Sequence, residues 1–82
     1  MARKQQVLTI PEMKTRIEEI DGMLNLMREG IPAQAQKAAD DMTIINLADA
    51  RDLIQQACEL LVERKNLYMR LELAELEQKL AQ

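Results

Sequence analysis

Apolar residues recur at spacings of three and four along Ile10, Met13, Ile17, Ile20, Leu24, Met27 and Ile31, the repeat by which one α-helix lies along another. A chain with such a row folds around helix-to-helix contact. The remaining vocabulary agrees: Tyr68 is the one aromatic, Phe, Trp and His are absent, and Ala, Leu, Ile, Met, Glu, Gln, Lys and Arg dominate. These residues favour helix, so an all-α fold is expected.

The boundaries of the first helix are strongly signalled. Thr9 can cap it, Glu12 can close a capping box, Pro11 sits in the first turn where a missing N–H costs nothing, and Leu8 with Met13 occupy hydrophobic-staple positions. At the other end Gly30 suits a left-handed terminal residue, Ile31 can fold back on Leu26, and Pro32 discourages continuation. The reading is a helix over residues 10–28, about 28 Å long at 1.5 Å per residue, preceded by a flexible arm over residues 1–8. Gly22 interrupts this helix and fits close packing better than a hinge.

A short helix is expected over 32–41, where Ala35, Ala38, Met42 and Ile45 make a shallow stripe. The phase then shifts, because Asp49 and Asp52 fall where the stripe should continue. Asn46 followed by Asp49 resembles an N-cap with an acidic third position, which predicts a turn near 42–45 and a long helix over 46–81. One unbroken helix from residue 32 onward is the alternative. The single domain is thus 9–82, a helical hairpin of three helices.

That long helix, about 54 Å, outruns the first. Its early half carries one broad stripe with Leu53, Ile54, Leu60 and Leu61, while its later half carries two rows, Leu67 and Leu71 on one side and Met69, Leu73, Leu76 and Leu80 nearly opposite. A helix apolar on two sides needs two neighbours. An 82-residue chain also buries a modest share of its surface and needs support beyond its own core. With one cysteine, Cys58, and no histidine, neither an internal disulfide nor a usual zinc site can supply it. Dimerisation is the expected supplement, with Met69, Leu73, Leu76, Leu80 and Met23 as the partner interface.

The function classes narrow accordingly. The carboxylate pairs Glu18/Glu19, Asp40/Asp41 and Glu72/Glu75 read as solvated helix faces, and Cys58 as a small buried hydrophobe, so no catalytic, cofactor or metal residue is expected. Eleven basic and fourteen acidic residues give a formal charge of −3, with no overall field favouring nucleic acid. Met13 and Met27 fit core filling, while Met23 and Met69 fit an interface. No apolar run approaches the ~18 residues needed to cross a bilayer, and the N-terminus lacks a signal-peptide pattern; a cytoplasmic protein is expected. The leading expectation is a non-enzymatic helical protein–protein interaction module, an adaptor, assembly factor, small chaperone or regulator, paired with itself and able to bind another helical protein. A nucleic-acid-associated dimer using Arg3, Lys4, Arg64 and Lys65 is the second.

The segment Ile17-Glu18-Glu19-Ile20-Asp21-Gly22-Met23-Leu24 resembles the start of the all-helical chorismate mutases. That resemblance implies a dimeric enzyme binding a dicarboxylate through Arg and Lys from several helices, with Lys14 near the place of an N-terminal Arg. It spans under a tenth of the chain, and Gly22 and a helix ending at Gly30 depart from the family's pattern, so no site residue is carried over.

Overall fold

Residues 8–81 are described by the structure, a computed structural model, and they form two helices: α1, Ile10–Asp40, and α2, Ile44–Ala81. The capping box is present at the start of α1, where Thr9 Oγ1 accepts from the Glu12 amide at 3.3 Å and Glu12 Oε1 accepts from the Thr9 amide at 2.9 Å. Those bonds hold the Glu12 carboxyl below its ordinary range, because they favour its charged form. The arm expected over residues 1–8 lies, apart from Leu8, outside the described residues.

The break expected at Gly30 is absent. α1 continues through Gly30, Ile31 and Pro32 to Asp40, and no glycine among the described residues has a positive φ. The separate helices expected over 10–28 and 32–41 are therefore one, 31 residues long. Tertiary contact accounts for the override: Ala38 is buried, and Gln34 Nε2 donates to the backbone oxygen of Asn46 at 3.2 Å. The bond to Asn46 holds the chain beyond Pro32 beside the start of α2.

The turn spans 41–43 rather than 42–45, so α2 begins two residues earlier than expected, and an unbroken helix from residue 32 is ruled out. Thr43, rather than Asn46, takes the capping role, since its Oγ1 accepts from the Asn46 amide at 3.1 Å. Asn46 is buried instead, and its Nδ2 donates to the Asp41 carbonyl at 3.0 Å. An amide side chain thus ties the start of α2 to the end of α1 and satisfies a carbonyl that the helix end leaves open.

The helices run antiparallel, as three cross-helix ion pairs show. Arg16 grips Glu63 with both ends of its guanidinium, at 2.6 and 2.9 Å; Arg64 meets Asp21 at 2.6 Å; Lys14 lies 3.7 Å from Glu75. Between them is the core of Met13, Ile17, Ile20, Leu67 and Leu71, with Leu8, Ile10, Met23, Leu24, Leu60 and Ala74 packed around it. Ile20 is fully enclosed, at 0% exposure, which is worth about 1.5–3 kcal/mol relative to solvent.

This arrangement corrects the expected overhang. The first turns of α1 lie against the end of α2, where Leu8, Thr9, Ile10 and Pro11 share a hollow with Ala74, Glu77, Gln78 and Ala81. The later half of α2 is therefore covered along one side. The earlier half packs less deeply: Met27, Ile31 and Leu53 are half-buried, and Ile54 and Leu61, expected in the core, are exposed.

Candidate interaction surface

Each residue of a helix advances the side-chain direction by about 100°, so residues two apart diverge by about 200°. Leu71 faces α1; Leu73 therefore points away from it. The same offset applies to Met69 against Leu67 and Leu71. The outcome is a row of large apolar side chains on the outer side of α2, with Met69 59%, Leu73 58%, Leu76 53% and Leu80 79% exposed. Met69, Leu73 and Leu76 line a shallow apolar groove together with the stems of Glu72, Glu75 and Lys79, and Leu80 follows at its end.

Val62 prolongs the row by one heptad, which the sequence reading missed. A second exposed line, Leu47, Ile54, Leu61 and Tyr68, repeats every seven residues beside it. The signal for both is a seven-residue spacing, but the broad stripe expected in the core includes Ile54 and Leu61. Met23 does not join this surface: it is half-buried against the core cluster on the other helix. Cys58, expected to be buried, is exposed, because α1 passes on the Ala57 and Leu60 side of α2 where both are half-buried. At the turn, Met42, Ile44 and Ile45 are also exposed.

Three pairs of charges hold the hairpin together. Glu63 is held below the usual carboxylate range by the hydrogen bond from Arg16, whose guanidinium is correspondingly raised. Arg64, counted among candidate nucleic-acid contacts, is engaged by Asp21, and Lys14 faces Glu75. Lys14, the one cation that the mutase resemblance singles out, is thus matched to a carboxylate on the opposite helix. Among the described residues no three His, Cys, Asp or Glu side chains converge as a metal site, and no helix is long and apolar enough to cross a membrane. What the outer face of α2 offers is apolar area rimmed by charge.

Comparison with family models, with curated proteins and with solved structures returned no match.

Proposed function

We propose that the protein is a small non-enzymatic interaction module whose working surface is the outer face of α2, and that its hairpin pairs with a second helical chain there, in the first instance as a homodimer. The observation that carries this reading is the row Met69, Leu73, Leu76 and Leu80, each more than half exposed. Single exposed hydrophobes are ordinary, whereas a continuous row at heptad spacing is the contact face of a helix. Covering the four side chains in each of two chains returns roughly 10 kcal/mol at about 1–1.5 kcal/mol per half-exposed residue. Association costs about 4–15 kcal/mol, a sum comparable to that return, so the dimer is expected to be weak and to need support from the charges flanking the row.

Leu73→Glu combined with Leu76→Glu tests it, because two charges per chain would then be forced into the seam. Light scattering after size-exclusion chromatography should show the parent as a dimer and the double variant as a helical monomer with reduced thermal stability. A dimer that survives both substitutions would mean that another face pairs.

A further inference from the structure

The seam can be followed upstream from Leu80 through Leu76, Leu73, Met69, Asn66 and Val62, at alternating spacings of four and three. One flank then carries Glu63, Arg70 and Glu77, and the other Lys65, Glu72 and Lys79. Sign alternates along each flank. Glu63 is occupied by Arg16, but among the described residues Arg70, Glu72, Glu77 and Lys79 form no ion pair and are exposed. Such flanking charges choose the partner and orientation of paired helices.

In a parallel pair, a flank residue meets the opposite flank of the other chain five positions further on. Glu72 would face the partner's Glu77 and Lys65 would face the partner's Arg70, so every contact would be between like charges. One feature favours that pairing, since Asn66 would meet the partner's Asn66. In an antiparallel pair, like flanks meet. When Leu73 lies opposite the partner's Leu76 and Met69 opposite the partner's Leu80, Arg70 faces the partner's Glu77 and Glu72 faces the partner's Lys79. Symmetry doubles this to four opposite-charge contacts with no like-charge contact. A slip of one heptad in one direction sets Arg70 against the partner's Arg70 and Glu72 against the partner's Glu72. A slip in the other sets Glu77 against the partner's Glu77 and Lys79 against the partner's Lys79. Four matched contacts outweigh one Asn pair bought with four repulsions.

We infer that the occupant of the seam is a second copy of this chain lying antiparallel to the first, with the two-fold axis passing between Ala74 and Glu75, so that Arg70 pairs with the partner's Glu77 and Glu72 with the partner's Lys79. This rests on the reading of the seam as a self-association surface. Leu67 and Leu71 keep α1 on the far side of α2, which leaves the seam open along the overlap. The two hairpins then point in opposite directions. With a long axis of 60 Å each and an overlap of about 16 residues at 1.5 Å per residue, the dimer spans roughly 100 Å, whereas a parallel dimer stays near the length of one hairpin.

Sedimentation equilibrium at low salt on the full chain, with Arg70→Glu, Glu77→Arg and the two combined, tests the arrangement. Each single reversal places two like-charge contacts in the antiparallel dimer and should weaken it about tenfold, from pair energies of up to ~1 kcal/mol; the combined reversal restores opposite signs and should return affinity to within about twofold of the parent. In a parallel dimer each single reversal would convert a repulsion into an attraction, so tighter association overturns the antiparallel arrangement while leaving self-association standing. Unchanged affinity in both single variants overturns the register. A parent that stays monomeric at 100 μM overturns the self-association reading together with this one. Small-angle scattering supplies an independent check, since a maximum dimension near that of one hairpin contradicts the end-to-end geometry.

Discussion

Gly30 and Pro32 stand inside a continuous helix, and replacing them measures what that continuity costs. At Gly30 an added Cβ meets nothing within 4 Å, so Gly30→Ala neither clashes nor gains a contact. Its whole effect is the backbone term, about 1 kcal/mol in favour of Ala within a helix. For a domain of this size that raises Tm by roughly 4–8 °C. At Pro32 the pyrrolidine leaves the Arg28 carbonyl without its donor four residues on, and Pro32 is exposed, so no packing is lost on replacement. Pro32→Ala should stabilise by as much as ~3 kcal/mol. Thermal melts followed by circular dichroism at one fixed protein concentration decide the matter, the concentration being held because self-association shifts Tm. If α1 instead ended at a left-handed Gly30, Ala there would cost about 1 kcal/mol, and Pro32 at a first helical position would be nearly neutral to replacement. A lowered Tm for Gly30→Ala would therefore refute the continuous helix.

Ile20→Ala should destabilise by about 2–5 kcal/mol in urea unfolding, against near neutrality for Leu26→Ala, since Ile20 is enclosed and Leu26 is 77% exposed. The Arg16–Glu63 pair should show in the acid limb of stability. Glu63 has a lowered folded-state pKa, so its contribution is present above the ordinary carboxylate value of 4.5 and is lost as pH falls through the lowered one. The stability gap between the parent and Glu63→Gln should therefore shrink below about pH 4.5 and, for a pair this exposed, stay under ~1 kcal/mol at neutral pH; a gap that widens in acid contradicts the sign.

How far the sequence leads depends on which interaction dominates locally. The start of α1 is local chemistry, Thr9, Pro11 and Glu12 within one turn, and the structure has it where those residues place it. The apolar row Met13, Ile17 and Ile20 is likewise readable, because heptad spacing alone selects a face. Gly30-Ile31-Pro32 misleads for the opposite reason: three strong local stop signals are outweighed by the packing that buries Ala38 and by the bond of Gln34 to Asn46 across the turn. Asn46 resembles a cap by its neighbours in sequence, whereas its side chain is drawn inward to Asp41. The cross-helix pairs of Arg16 with Glu63 and Arg64 with Asp21 could not be read before register was known. Of the interface residues, Met69, Leu73, Leu76 and Leu80 stand out by period alone, whereas Met23 is separated from them by which helix it sits on.

The hollow in which Leu8 to Pro11 meet Ala74 to Ala81 brings the two ends of the hairpin together, with the 41–43 turn at the far pole. Fusion partners therefore have unequal effects by position. A fluorescent protein or purification handle joined after Ala81 would stand beside the last seam residue, Leu80, and crowd any chain that docks there. The same cargo attached through the side chain at position 42, which is 71% exposed, would ride on a solvent-facing loop tip and leave intact the bonds of Thr43 and Asn46 to Asp41. For a protein whose behaviour is to be judged by what it associates with, the tip is the place to attach a label.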